Sequence, residues 1–354
     1  MSRHLPLVDR LREQGRQCAL GGSPLTAALL AGAADDYAAG GVVRDLLADE
    51  EGAPSGTVPS LRLAGALHRL VLERRAPELA LHYPSVGGTA PVGDVWPAAE
   101  RACREHLDAL RSLVLQPVQT NEVGRAAVLW GVLGMLGGGP VRLLEVGSSA
   151  GLNLRCDAFA YALADGRVLG DPASPVRLVD PWTGALPPYD APVLVSRRGC
   201  DPAPVDPATT EGRLTLTSYV WADQTARLER LRGALQVAER VPAVVERAGA
   251  LDFLTRELAD LPAGVTTVVW HSVVMQYVDP AERAAVDALL DTVGTATGPD
   301  APLVRVALEP ERVGHRDFDF TVTAQRWPGG QRLRLAQALG HGPPVTWSGA
   351  RLSA

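Results

Sequence analysis

Lysine and isoleucine are missing from this chain: all 34 basic residues are arginine, and only two of its 354 residues are asparagine, Asn121 and Asn153. Without lysine there is no Schiff-base chemistry, no lysine-anchored pyridoxal phosphate and no G-x-x-x-x-G-K-[ST] phosphate loop, because each needs an amine or ammonium at a fixed point. The three scarce residues share A-rich or A-starting codons. The excess of Ala, Arg, Gly, Pro and Leu points to a very GC-rich genome of actinobacterial type. Where such a bias spares an asparagine, the position is a candidate for needing one.

Cysteine is also sparse. Cys18, Cys103, Cys156 and Cys200 show no C-x-x-C spacing, and the seven histidines do not fall at ligand spacing, so no metal site is expected. The opening MSRHLPLVDRLREQGRQ is too charged for a signal h-region, and these features together read as a reducing, cytoplasmic compartment. Apolar runs such as AAVLWGVLGMLGGG fall short of the roughly 20 residues of a bilayer span, so no membrane association is expected. A net charge of −6 without a basic tract argues against a nucleic-acid partner. The hydrophobic content of 46% supplies a core for one large domain or two ordinary ones.

Residues 1–135 read as helices between Pro/Gly loops, the domain expected to form a cap or lid. SPLTAALLAGAADDYAAGGVVRDLLAD opens with Ser23 as N-cap and Pro24 at N1. PSLRLAGALHRLVLERR and WPAAERACREHLDALRSLVL repeat the pattern, and QTNEVGRAAVLWGVLGMLGG is a helix that Thr120 or Asn121 would cap. Over residues 136–354 the pattern differs, with apolar strands at 141–147, 191–201, 242–253, 265–272 and 301–311 alternating with helices at 225–240 and 280–293. That alternation predicts an α/β domain on a parallel sheet, followed by an antiparallel pair joined at Pro328-Gly329-Gly330. Residues 155–190, with Pro172, Pro175, Pro181, Pro187 and Pro188, read as an irregular insertion.

The strongest chemical signal is L-L-E-V-G-S-S-A-G (143–151), an acid at a strand end and then glycines that let the backbone turn tightly against a ligand. It resembles the first motif of class I S-adenosylmethionine-dependent methyltransferases, with Ser149 in the place of the middle of three alternating glycines. The resemblance implies a Rossmann-like sheet and S-adenosylmethionine as cofactor, held by Glu145, Gly147, Ser149 and Gly151. It further implies Asp201 as a ribose acceptor, the alternative being a turn residue before Pro202. Asp252 either reaches the adenine amine or caps the next helix. The strand exit W-H-S-V-V-M-Q-Y then faces the methyl group, with His271 as general base, Ser272 beside the cofactor and Gln276 on the substrate; a satisfied structural histidine is the alternative.

Q-T-N-E-V-G-R (119–125) is polar at nearly every position, whereas a plain cap needs one such side chain. Gln119, Asn121, Glu122 and Arg125 therefore read as a lid on the substrate, with Glu122 a second candidate base, or else as a cap with a Glu122–Arg125 pair. Asn153 would add a donor at the helix start that receives a carboxylate. His82 and Tyr83 read as a surface loop. G-S-S-A-G (147–151) also matches a nucleophile elbow, which would make Ser149 a hydrolase nucleophile served by His271, His315 or His341.

Together with G-D-P-A-S-P-V, S-R-R-G-C-D-P, Y-V-W-A-D-Q (219–224) and L-E-P, these motifs closely resemble the family known as domain of unknown function 2332, from about Ser23 to Trp347. That family is mainly actinobacterial, and its C-terminal half looks like a class I methyltransferase. Y-V-W-A-D-Q has no counterpart among methyltransferase motifs, so Trp221, Asp223 and Gln224 either line a substrate pocket or cap the following helix. The expected activity is methyl transfer to a small molecule bound between the helical cap and the Rossmann-like domain. Displacement or ring closure on the same cofactor, ester hydrolysis through Ser149, and ligand binding without turnover are the alternatives.

Overall fold

The computed structural model describes residues 5–53, 57–186, 188–313 and 318–352, so Pro187 and His315 lie outside the described residues. The chain forms two compact units, Met1–Thr120 with Thr209–Glu229, and Asn121–Ala208 with Arg230–Ala354.

The first unit is helical: α1 (Leu7–Leu20), α2 (Pro24–Ala38), α3 (Val42–Leu47), α4 (Pro59–Leu72), α5 (Pro77–Ala80), α6 (Val95–Glu105) and α7 (Leu107–Leu113). Ser23 caps α2 by accepting the Thr26 N–H, with Pro24 at the first helical position. The helical stretch does not run on through Gly40, where a φ of 77° stops α2 before α3 begins. Leu63, Leu67 and Leu70 of α4 join Leu11, Leu30, Ala99 and Leu110 in the core.

The second unit opens with α8 (Ala126–Leu133), and β1 (Pro140–Val146) follows. The described part of residues 155–190 holds more regular structure than its prolines suggest. β2 (Ala160–Ala162), β3 (Val168–Gly170) and β4 (Arg177–Val179) form a small sheet, and β5 (Trp182–Ala185) joins the edge of the large one. Strands this short carry no periodicity to read. β6 (Val193–Asp201) leads to α9 (Thr210–Ser218), which belongs to the first unit, and α10 (Thr225–Arg240) brings the chain back to the second. β7 (Val244–Arg247), α11 (Ala250–Glu257), β8 (Thr266–Ser272), α12 (Pro280–Ala296), β9 (Leu303–Arg312), β10 (Phe318–Trp327), β11 (Arg332–Leu339) and β12 (Gly342–Ser348) complete it.

The nine-stranded sheet runs β5-β12-β11-β10-β9-β8-β1-β6-β7. Pairs from β7 through β6, β1 and β8 to β9 are parallel, and β9 to β12 pair antiparallel. The expected α/β class is therefore present, on a mixed sheet. Strand order reverses at β1: β6 and β7 extend to one side, β8 and β9 to the other. Alternation sets the two faces. Leu144 and Val146 share a core with Val269, Phe253 of α11 and Val286 of α12, so Glu145 and Trp270 point to the opposite face and His271 shares the face of Val269. No helix among the described residues is long and apolar enough to cross a membrane.

Candidate functional site

Beyond Val146 the chain turns sharply, with left-handed φ at alternate residues: 70° at Gly147, 54° at Ser149 and 66° at Gly151. A Cβ at Gly147 would stand 2.3 Å from Val274 Cγ2, so only glycine allows this approach to the loop after β8. The turn is pinned from β6. Cys200 O accepts the N–H groups of Gly147 and Ser148, at 2.9 and 3.0 Å. Asp201 accepts the Ser149 N–H at 2.9 Å and the Ala203 N–H at 2.8 Å. Asp201 is thus both the turn residue before Pro202 and the clasp that holds Ser149 in its strained conformation.

Glu145, one residue before the strand ends, is 2% exposed. Its Oε1 accepts the Trp270 Nε1–H at 3.1 Å, while Oε2 is shut from solvent and has no hydrogen-bond partner among the described residues. Burial pushes this carboxyl up to about 8, against the Trp270 bond and the nearby Arg125 and Arg155. The carboxyl has no ion pair among the described residues. Arg125 donates from Nε to Gly340 O and from Nη1 to Ser272 O, and Arg155 donates to Val241 O and Gly151 O. Ser149 Oγ and Asn153 Oδ1 are likewise buried with no hydrogen-bond partner among the described residues.

The two asparagines tie the same two segments together. Asn121 Oδ1 accepts the Leu152 N–H at 2.9 Å, and Asn153 Nδ2 donates to Glu122 O at 3.2 Å. Asn121 therefore caps the turn at 152 rather than its own helix. The cap of the 123–133 helical stretch is Glu122, whose Oε1 accepts the Gly124 N–H at 3.0 Å and lies 3.7 Å from Arg230 Nη2. The expected lid is, in its Asn121–Arg125 part, a latch that locks the β1 turn in place.

His271 is not placed as an open base. It is buried, its Nδ1 lies 2.8 Å from Glu309 Oε1, and its Nε2 accepts the Arg305 Nε–H at 3.1 Å. Because arginine only donates, the ring proton sits on Nδ1 and is given to Glu309. Burial holds the imidazolium down, although Glu309 favours it. Glu309 Oε1 also accepts the Val274 N–H at 3.2 Å and so fixes the loop in which Val273, a β-branched residue, holds a φ of 52°. His271 and Glu309 anchor that loop. Glu309 belongs to the L-E-P motif, but pairing across two strands leaves no local sequence signal of its role; the same holds for Trp270, Arg155 and Arg305.

Other candidates are scattered. The Asp252 side chain is exposed in the first turn of α11, which starts at Ala250 behind Gly249, so Asp252 is not its cap. Ser272 contributes its carbonyl to Arg125, and Gln276 is exposed on the turn Met275–Tyr277. Gln119 and Trp221 belong to the first unit. There the Y-V-W-A-D-Q segment caps a helix other than its own: Asp223 accepts the Ser23 hydroxyl at 2.5 Å and the Leu25 N–H at 2.9 Å, at the start of α2. Gln224 donates to Gly21 O, and Arg227 stacks over Trp221. His82 bonds Pro91 O, while Tyr83 is buried rather than on a surface loop. Among the described residues no group of three or more His, Cys, Asp or Glu is placed to hold a metal ion.

Compared with known proteins, the chain matches over residues 8–347 the model of a family described as "Uncharacterized protein conserved in bacteria (DUF2332)". No curated protein and no solved structure matches it.

Proposed function

The chain belongs to this bacterial family, and we propose that it binds S-adenosylmethionine at the carboxyl end of β1 and transfers the cofactor's methyl group to a small-molecule nucleophile. The observation that carries this reading is the turn at 147–151, where left-handed φ recurs at Gly147, Ser149 and Gly151 at the point where strand order reverses. Open α/β sheets bind ligands at that crevice, and the order β7-β6-β1-β8-β9, third, second, first, fourth and fifth of the parallel strands, supports a Rossmann-like reading. Ser149 takes a left-handed φ of 54° at the place of the middle glycine in the methyltransferase pattern, so a serine there does not prevent the turn.

The residues suit the cofactor. Glu145 Oε2, Ser149 Oγ and Asn153 Oδ1 are buried oxygens awaiting hydrogen-bond partners, a cost that a polar ligand would offset. Asp201 closes the neighbouring strand β6, the position from which an acid would reach a ribose hydroxyl. When bound, S-adenosylmethionine supplies an electrophilic methyl group. With His271 closed by Glu309 and Arg305, and Glu122 engaged by Gly124 and Arg230, this chain's contribution is to position the acceptor in line and exclude water rather than to remove a proton.

One observation favours a second reading. A serine at φ 54° on a strand–turn–helix crossing is also the conformation of a nucleophile elbow. Yet Ser149 Oγ has no hydrogen-bonded base among the described residues, and both nitrogens of His271 are engaged by Glu309 and Arg305. Titration calorimetry with S-adenosylmethionine and S-adenosylhomocysteine tests the leading reading. Saturable binding with a Kd on the order of 10 μM is expected, and no heat from either at about millimolar concentration would remove it. Labelling of Ser149 by a fluorophosphonate probe would favour the hydrolase instead.

A further inference from the structure

Glu145 is an acid buried in an unusual way. Two guanidinium groups lie near it, yet both spend the donors described above on backbone carbonyls, and the carboxyl receives one indole N–H and no ion pair among the described residues. The groups around it come from four elements: Arg125 from the turn before α8, Arg155 and Cys156 from the segment Asn153–Ala158, Asp201 and Cys200 from β6, and Trp270 from β8. Two further oxygens with no hydrogen-bond partner among the described residues, Ser149 Oγ and Asn153 Oδ1, lie on the same strand–turn–helix crossing. Side-chain oxygens on one crossing that have neither a hydrogen-bond partner nor an ion pair among the described residues suit a ligand that brings the cation.

We propose that Glu145 is a proton-exchange site coupled to cofactor binding: the cationic group of S-adenosylmethionine docks against the Glu145 carboxyl and replaces its proton, which passes to the solvent buffer. This rests on the cofactor assignment above and adds to it a pH-dependent affinity. The exchange is balanced. The O–H bond of the neutral carboxyl breaks, the base component of the buffer takes the proton, and the new carboxylate is neutralised by the arriving ammonium or sulfonium. No oxidant or other reactant is required. Since burial holds the carboxyl at about 8, the neutral form prevails at neutral pH and the proton is there to be released. Below that value, affinity should fall as pH falls, because protons compete with the cation for the same oxygens.

The experiment is calorimetric titration of the whole chain with S-adenosylmethionine from about pH 6 to about pH 9, in buffers of differing ionisation enthalpy, for wild type and Glu145→Gln. At about pH 7 and below, where the ligand's amine is mostly protonated both free and bound, the wild-type-to-variant difference isolates Glu145. Close to one extra proton should be released by wild type near pH 7. The ratio of wild-type to variant affinity should rise about tenfold per pH unit up to about pH 7 and level off above about pH 8. Equal proton counts in the two proteins would overturn the proposal while leaving the cofactor assignment standing; failure of wild type to bind either cofactor form would remove both. S-adenosylhomocysteine, which keeps the ammonium and lacks the sulfonium, identifies the group: release with both ligands points to the ammonium, release with S-adenosylmethionine alone to the sulfonium. Should Glu145→Gln not fold, infrared difference spectroscopy of wild type provides the readout. The carboxylic C=O band should vanish on adding S-adenosylmethionine near neutral pH, and a band that persists would overturn the proposal.

Discussion

Ser149 carries a Cβ at a φ of 54°, a conformation that costs an L-residue roughly 1–2 kcal/mol and glycine nothing comparable. Its hydroxyl makes no hydrogen bond among the described residues, so the side chain brings a second, desolvation cost. Ser149→Gly should therefore stabilise the chain, by up to about 1 kcal/mol once the added freedom of the unfolded glycine is counted. Urea unfolding of the two proteins measures it. A lower midpoint for the glycine variant would mean that the hydroxyl has a partner essential to the fold. This strain was half visible in the sequence: the G-S-S-A-G spacing marks a tight turn, but the hand of each residue depends on the Cys200 carbonyl and the Asp201 carboxylate. Both come from a strand about fifty residues further along the chain.

At the scale of elements, the parallel strands were legible because each is a short, mostly apolar run bounded by glycine, proline or a helix pattern, as with VTTVVWHS for β8 and APLVRVALEPE for β9. β12 was not, since Pro343 and Pro344 interrupt its pattern and its pairing depends on neighbours distant in sequence. The latch between 121–125 and the β1 turn was legible as a pair of retained asparagines but not as a contact between them. It consists of two side chain–backbone bonds pointing in opposite directions, Asn121 to the Leu152 amide and Asn153 to the Glu122 carbonyl. Either one replaced by alanine should cost about 1 kcal/mol. The pair hold the same two segments, so the double variant should lose less than the sum of the singles by at least about 0.5 kcal/mol. A double-mutant cycle of unfolding free energies reads this coupling, and strict additivity would show two unrelated caps.

Over the whole chain, the division into units is the feature that local patterns serve least. Residues 209–229 fall between the second and third strands of the α/β sequence pattern, yet cluster with the helices of the first unit. What ties them there is chemistry with no local trace. Asp223 accepts from Ser23 and from the Leu25 amide, Gln224 donates to Gly21, and the Tyr219 ring fills the space beside Gly65, where a Cβ would stand 2.6 Å from Tyr219 Cε1. A charged acceptor at the start of α2 also meets the positive end of that helix. Y-V-W-A-D-Q is accordingly a clasp, which accounts for a polar motif with no counterpart among methyltransferase motifs. Asp223→Ala should lower stability by about 2 kcal/mol, since it leaves both a hydroxyl and a helix-start amide without their charged partner, and Asp223→Asn should recover part of that loss. The discriminating measurement is the pair of unfolding midpoint and S-adenosylmethionine affinity for each variant. A clasp predicts a lowered midpoint with unchanged affinity in the folded protein, because the proposed cofactor residues all belong to the second unit. Should affinity fall while the midpoint holds, the segment would be part of the binding site and the clasp assignment would fail.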